Sequence, residues 1–475
     1  MTRGLKGGNT ITNGLQSRGS KARCHVFLEL AIRHSVKGME APKEDKRIVK
    51  TVSRRLQDGG LVELIYQPTR SRTALAICRG GEISLQDGMD AETGERLVPI
   101  GASNNLIRHG ALLLPGDPEE FDSAEDLVGE IKAYLRRYVD LSDGFERIAA
   151  YYVLLTWVYD AFNEVPYLRF RGDFGSGKTR ALLTVGSLCY KAFFASGAST
   201  VSPIFHILDT FRGTLILDEA DFRFSDEKSE LVKILNNGNV KGFPVLRTAV
   251  TVKREFNPRA FDVFGPKIVA MRRSFEDQAL ESRFLTENLG QRSLRSDIPI
   301  NLPDCQKTEA ETLRSRLLVY RFRTLSKTQI DPNLADRALS PRLNQILLPL
   351  LSIVASEDLR EEIRNAVRGL DKEIYAERSS SSEAGVLEIL LELLSRPDRA
   401  NVPVSELAIA FSARFGAEYE RPITNRFIGG ILRKRLHLLT YKSHGVYVVP
   451  ISEKSKIEQL AIRYGVVDRA EMPSG

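Results

Sequence analysis

The sequence predicts an α/β protein built around a P-loop, with a mixed α/β segment before the central sheet, a helical region after it and a winged-helix unit towards the C-terminus. Three observations predict this. Between residues 167 and 290, β-prone runs alternate with helical ones, the pattern of a parallel sheet covered by helices. The first of these runs leads into GDFGSGKT at 172–179, a full match to GxxxxGK[ST]. Beyond residue 384 the order is three helices followed by two strands joined across Lys442 to Gly445.

A chain of 475 residues exceeds what one hydrophobic core usually serves, and its 42% apolar residues are enough to fill several. Lys plus Arg outnumber Asp plus Glu by 68 to 61, a formal charge of +7, which leans weakly towards a polyanionic partner. Cys24, Cys78, Cys189 and Cys305 form neither a CxxC pair nor a Cys/His cluster, so no zinc site or disulfide framework is indicated and a cytoplasmic location is expected. The apolar run IAAYYVLLTWVYDAF at 148–162 is shorter than the roughly 20 residues that span a bilayer and carries Asp160. It reads as a buried helix, and no membrane partner is expected.

In chain order, residues 1–21 have charge but no apolar segment and read as a disordered basic tail, not a signal peptide. Residues 22–120 read as a mixed α/β N-terminal domain whose short strands are LVELIYQ, TALAICR, GEISLQD and HGALLLP, separated by turn residues. Residues 121–300 form the core with its preceding helices. Leu127, Val128, Ile131, Tyr134, Leu135, Tyr138 and Val139 fall at helical spacing, and a second, apolar helix follows from Ile148 after the SDG break at 142–144. Then come the strand YLRFR, a helix from Lys178, the strand AFFASG, the helix SPIFHILDT, the strand of TLILDEAD, the helix EKSELVKILNN and the strand KIVAM. Residues 301–376 read as a helical lid, 377–384 as a serine-rich linker, 385–452 as the winged helix and 453–475 as a tail. Gly429 and Gly430 weaken the third helix of the winged unit.

The spacing of GDFGSGKT carries specific chemistry. Gly172, Gly175, Ser176 and Gly177 let backbone N–H groups curl around a phosphate, Lys178 reaches the β- and γ-phosphates, and the Thr179 hydroxyl ligates Mg2+. A second metal-binding group is expected at the end of a neighbouring strand, and TLILDEAD supplies Asp218, 40 residues past Lys178. Glu219 beside it is suited to polarise an attacking water, while Asp221 either assists or caps the next helix.

With these motifs in hand, residues 145–350 resemble the AAA+ ATPases, most of all the MCM-like and superfamily 3-like replicative helicases of plasmids, phages and integrated elements. The resemblance lies in the DE form of the acidic motif and in NNGNVKGFPVLR, REFNPRAFDVFGPKIVAM and DQALESR. It implies ATP as the nucleotide and Arg283 as an arginine finger supplied to the neighbouring subunit, hence a homo-oligomer with a hexameric ring as the expected form. The bland alternative pairs Arg283 with Glu281 or Glu287 of its own subunit. Arg342, at the start of a lid helix, resembles a nucleotide-binding sensor-two arginine. After KIVAM, where those helicases usually carry a polar sensor, this chain has Arg272 and Arg273, and which of them serves stays open.

The resembled helicases place a pore hairpin between acidic motif and finger. Here that segment is basic, with Lys241, Arg247, Lys253, Arg254 and Arg259, residues suited to gripping the phosphates of a single strand. In the winged unit, Arg426, Arg433, Lys434, Arg435 and Lys442 lie in a stretch without acids and suit duplex DNA. Two functional readings follow. One is an ATP-driven DNA helicase or translocase in replication of a mobile element, with replication proteins as further partners; the other is an ATP-dependent loader or protein-remodelling switch that docks through the winged helix.

Overall fold

The computed structural model describes residues 46–467 except 197–198, 219–225, 249–256, 276, 292, 397–399 and 420, and the side chains of 226–229, 278, 371–378 and 418. The expected basic tail therefore lies outside the described residues. Residues 48–99 form β1 (Ile48–Thr51), β2 (Ser53–Arg55), β3 (Leu61–Gln67), β4 (Arg72–Arg79), β5 (Glu82–Gln86), β6 (Met89–Asp90) and β7 (Arg96–Pro99). They make two sheets, of order β2-β3-β4-β5 and β1-β7-β6. HGALLLP, expected as a strand, is not one: only Leu112 bridges, to Phe193.

Nor is this segment a separate domain. β3 is buried along its length, and its alternating side chains enter two different cores, Leu61 and Ile65 one, Val62 and Leu64 the other. Both cores continue through the central sheet. α1 (Asn105–Arg108) is followed by α2 (Ala124–Tyr138) and α3 (Asp143–Val158). The SDG expected as a break is instead the start of α3, because Ser142 caps it by accepting from the Phe145 N–H at 3.3 Å. α3 is buried on almost every side, and Trp157 Nε1 donates to the Leu188 carbonyl at 2.9 Å.

The central elements are β8 (Tyr167–Arg171), α4 (Lys178–Gly186), β9 (Phe193–Ser196), α5 (Val201–Phe211), β10 (Leu215–Asp218), α6 (Asp226–Asn237), β11 (Val245–Arg247), β12 (Arg259–Phe261), β13 (Lys267–Met271), α7 (Gln278–Glu281) and β14 (Phe284–Asn288). Five strands form one sheet of order β14-β8-β13-β10-β9, every pair parallel. Buried on both faces, these strands read as short apolar runs rather than as alternating ones. β11 and β12 form an antiparallel hairpin outside this sheet.

α8 (Cys305–Thr324), α9 (Pro341–Ser352) and α10 (Glu357–Ser379) follow. The serine run expected as a linker is mostly helical: α10 extends to Ser379, and α11 (Ser382–Leu394) is capped by Ser381 at 3.2 Å from the Ala384 N–H. The remaining elements are β15 (Asn401–Pro403), α12 (Val404–Phe415), α13 (Asn425–Gly430), β16 (Tyr441–Ser443), β17 (Val446–Pro450) and α14 (Lys454–Arg463), with sheet order β15-β17-β16. Past the two glycines, α13 widens into a π-turn in which Leu436 N–H reaches back five residues to Ile431 at 2.9 Å. The two strands expected to join across Lys442 to Gly445 do so by a shorter turn: β16 runs on to Ser443, and the β16–β17 turn is two residues, His444 and Gly445, both at positive φ. Residues 453–475 were expected to be a tail, yet Ile457 and Tyr464 complete the core of this module.

A buried charge cluster joins the elements on which the central sheet rests. The Glu63 carboxylate of β3 meets Lys191 Nζ at 2.8 Å and Arg321 Nε at 2.7 Å, and all three side chains are almost fully buried. Arg321 also forks onto Asp160 at 2.7 and 2.9 Å. Burial pushes the Glu63 carboxyl up, but the Lys191 and Arg321 charges outweigh it and hold it below the usual range. Glu63→Ala should cost about 3–5 kcal/mol, since it leaves the buried Lys191 without a carboxylate and Arg321 with Asp160 alone. Urea denaturation at pH 7 measures this, and an unchanged midpoint would contradict the account.

Candidate active site

The P-loop sits at the C-terminal end of β8, between β14 and β13, where ligands of open parallel sheets bind. Gly175 and Gly177 take φ of 76° and 91°, which only glycine adopts without strain. Gly172 is required by space: a Cβ there would lie 2.5 Å from Ser176 Oγ and 2.6 Å from the Leu289 carbonyl oxygen. Lys178 starts α4 and donates to the carbonyls of Gly172 and Asp173 at 2.8 and 2.6 Å, so its ammonium lies inside the loop it should share with phosphate. Thr179 Oγ1 donates to Asp218 Oδ2 at 2.8 Å, which joins the two motifs. A hydroxyl and a carboxylate oxygen are donors of the kind Mg2+ takes alongside water and phosphate, so these residues fit the ion.

A cavity of about 360 Å3 is lined by Phe174, Lys178, Thr179, Asp218 and Arg272 among others. Arg272 arrives there because β13 lies between β8 and β10, which puts the residue after Met271 between the P-loop and Asp218. Its guanidinium is 5.9 Å from the ring of Phe174, a side chain 89% exposed. Of the two arginines after KIVAM, then, Arg272 is at the loop. On the other side of the P-loop a second cavity of about 650 Å3 is lined by Gly175, Ser176, Arg180, Glu287 and Ile300, among others. Ser142 fixes Glu287 there, donating from its N–H and hydroxyl at 2.7 and 2.8 Å. Glu219 and Asp221 lie outside the described residues.

Arg283 is not part of this cluster. Its carbonyl accepts from Tyr167 N–H at 2.9 Å, at the start of β8, so the five-residue strand, about 16 Å long, separates it from the P-loop. Neither in-chain carboxylate partner expected for it is used. Glu281 is forked by the buried Arg169 at 2.6 and 2.6 Å, and Glu287 is held by Ser142. Arg283 donates instead to Asn239 Oδ1 (2.8 Å), Asn236 Oδ1 (2.5 Å) and the Ala279 carbonyl (3.1 Å). Burial, and then the like charge of Arg342, lowers its pKa. Arg342 is correspondingly at the same end of the sheet, on Gln345 at 2.8 Å, and Gln345 donates to Glu164 at 2.5 Å. Arg342, expected as a nucleotide-binding sensor-two arginine, thus lies beside Arg283 and away from its own subunit's P-loop.

The basic residues divide. Lys241 donates to the Asp160 carbonyl at 3.0 Å, Arg247 stacks 4.8 Å from the Phe205 ring and pairs with Glu230, and Arg259 stacks on Phe261 and pairs with Asp209 at 3.2 Å. These three dock the base of the β11–β12 hairpin on its own subunit, and Lys253 and Arg254 lie outside the described residues. In the C-terminal module Arg426, Lys434 and Lys442 are exposed. Arg433 leans on Tyr447 at 5.4 Å, and Arg435 pairs with Glu383 at 2.9 Å. Sequence reasoning did not find Asn236, Asn239 and Arg169, whose roles come from contacts distant in the chain.

Strand order, glycine loop and acidic strand end are together consistent with a P-loop nucleotide-binding α/β fold. No protein-family model matches the chain, and no curated protein does. Among solved structures it is similar to the apo C-terminal region of NrS-1, at 13% identity over 82% of this chain and 96% of that one, with a TM-score of 0.33. A full-length MCM homologue from Methanopyrus kandleri is 12% identical over 63% and 68%, with a TM-score of 0.35. JCV helicase is 14% identical over 53% and 62%, with a TM-score of 0.22. At these scores the likeness carries no argument, and the class rests on the geometry above.

Gly172→Ala should weaken binding of a nucleoside triphosphate at least about tenfold, or about 1.4 kcal/mol, by closing the loop on Ser176. Titration with a fluorescent nucleotide analogue reads this; unchanged affinity would mean that the loop does not hold phosphate.

Proposed function

We propose that this protein is an ATP-hydrolysing DNA helicase or translocase whose active sites are completed between subunits. The observation that carries the reading is the position of Arg283 and Arg342 at the opposite end of the sheet from their own P-loop, held by the neutral side chains of Asn236, Asn239 and Gln345. Two guanidiniums so held keep charge available for an anion that their own subunit cannot bring to them. A head-to-tail interface supplies it, and repetition of that interface closes a ring, which we take to be a hexamer.

In this reading Lys178 and the loop amides hold the phosphates and the roughly 650 Å3 cavity beside Ser176 takes the nucleoside. Thr179 and Asp218 would hold Mg2+, which when bound draws charge from the phosphate oxygens. Glu219 orients the attacking water, Arg272 faces the phosphates from the end of β13, and Arg283 of the neighbour stabilises the charge that develops on transfer.

For DNA the docked base of the hairpin leaves the gripping role to Lys253 and Arg254, and Arg426, Lys434 and Lys442 offer a second, duplex-binding face on a winged-helix module. The sequence resemblance over 145–350 suggests replication of a mobile element as the setting. A protein-docking role for the C-terminal module is the second reading, favoured by Leu439, Tyr441, Val446 and Tyr447, which are between 42% and 58% exposed there.

Arg283→Ala should lower ATP turnover by about 10³–10⁵-fold with ATP affinity unchanged. Single-stranded DNA should stimulate the wild type, and the stimulation should fade steeply with salt. Steady-state ATPase assays with and without DNA measure both. Turnover indifferent to DNA at low salt would move the function to protein remodelling.

A further inference from the structure

The β16–β17 hairpin presents an aromatic ring between two cations. In its register Lys442 lies directly opposite Tyr447, which puts both side chains on one face of the hairpin. Tyr447 is 51% exposed, and Lys442 beside it is exposed as well. The core of the module closes on Val449, two residues further on, and does without this ring.

Arg433 completes the face from the helix that precedes the hairpin. Its guanidinium lies 5.4 Å from the centre of the Tyr447 ring and donates to Thr440 Oγ1 at 3.3 Å. Both of these partners are neutral, so the charge stays available to an anion, whereas nearby Arg435 is taken by Glu383 at 2.9 Å. Two features of the backbone aim Arg433. It lies within the π-turn Ile431–Arg435, and an irregularity of this kind recurs where a side chain has to be placed for function. Gly429 leaves it room: a Cβ there would meet Arg433 Nη2 at 3.0 Å and Nη1 at 3.2 Å. Between residues 421 and 452 the sequence has no Asp or Glu, so every charge on this stretch is positive.

We propose that Arg433, Tyr447 and Lys442 form a binding site for single-stranded nucleic acid, in which one base stacks on Tyr447 and the flanking phosphates lie on Arg433 and Lys442. Stacking on a side-chain ring requires a base that is free of its neighbours, which a single strand offers and a duplex does not. The cations on either side of the ring select a polyanion over the apolar peptide that Leu439 and Val446 alone would suit. The inference deepens the reading of this module as a DNA-binding one and rests on it. Arg426 and Lys434 remain the duplex face, and the hairpin adds a place for an unpaired strand.

The test uses the full chain without nucleotide, on a Lys253→Ala, Arg254→Ala background that removes the strand-gripping residues proposed for the ATPase core. Fluorescent oligo(dT), oligo(U) and a blunt duplex of equal length are titrated by anisotropy. Tyr447→Leu should weaken oligo(dT) binding about five- to 100-fold and duplex binding less than about twofold, while Tyr447→Phe, which keeps the ring, should bind as the parent does. Gly429→Ala favours the helix and displaces the Arg433 guanidinium; it should weaken oligo(dT) binding roughly two- to fivefold, and it makes the test should Tyr447→Leu fail to fold. A strand carrying 5-iododeoxyuridine should crosslink to Tyr447, read by mass spectrometry of the peptides. A loss shared by oligo(U) would support the site and show that it reads the base and not the sugar. Duplex that binds as tightly as oligo(dT) and loses as much in Tyr447→Leu, or unchanged affinities with crosslinks that avoid Tyr447, would overturn the site and leave this face to a protein partner. ATP turnover indifferent to DNA while the Tyr447→Leu loss persists would count against the motor and not against this site.

Discussion

The parallel pairing of β8 with β14 is the constraint from which the site follows. In that register Phe284 faces Tyr167 and Asn288 faces Arg171, so one end of β8 opens into the P-loop and the other carries Arg283. No rotamer of one subunit brings the two together. A single strand length therefore separates Arg283 from its own P-loop, and Arg342 lies with Arg283 at that far end, which is why the proposed reading has the site completed by a second copy. Arg169 secures the arrangement: a buried arginine in a central strand is costly unless paired, and its fork onto Glu281 both satisfies it and fixes the turn on which Arg283 rides.

Buried charge does similar work beneath the sheet. Glu63, Lys191, Arg321 and Asp160 tie the N-terminal strands, the segment after α4, the end of α3 and α8 to one another. Burial lowers Lys191 to about 8 while the Glu63 carboxylate opposes that shift. The cluster specifies which elements meet, a task that apolar packing alone does loosely. It also explains why residues 48–120 are inseparable from the core that they precede.

The P-loop was legible in the sequence to the residue, because its chemistry is local: glycine spacing, one lysine and one threonine within eight positions. Four of the five parallel strands were legible for the same reason, as buried runs between helical ones; β14, whose FLTEN carries three polar residues, was not. What was not legible depends on distant contacts. Nothing in LVELIYQ says that its two faces feed different cores, and nothing in NNGN says that two asparagines meet an arginine 44 and 47 residues onward. The basic residues were ambiguous in an instructive way. Lys241, Arg247 and Arg259 read as a phosphate-binding stripe, and the structure sets their cations on Phe264, Phe205 and Phe261, since an arginine or lysine serves an aromatic face as readily as it serves a polyanion. The serine run misled through the same ambiguity, for serine caps helices as well as it breaks them.

The central claim is that the active site is shared between subunits, and subunit mixing tests it most directly. Lys178→Ala and Arg283→Ala proteins should each be inactive, one lacking its phosphate lysine and the other its neighbour's arginine. Mixed in equal amounts and allowed to exchange, they should recover ATP hydrolysis, since roughly a quarter of the head-to-tail interfaces then pair an intact P-loop with an intact Arg283. No recovery from folded, co-assembled variants would contradict a shared site and return Arg283 to a structural role in its own subunit.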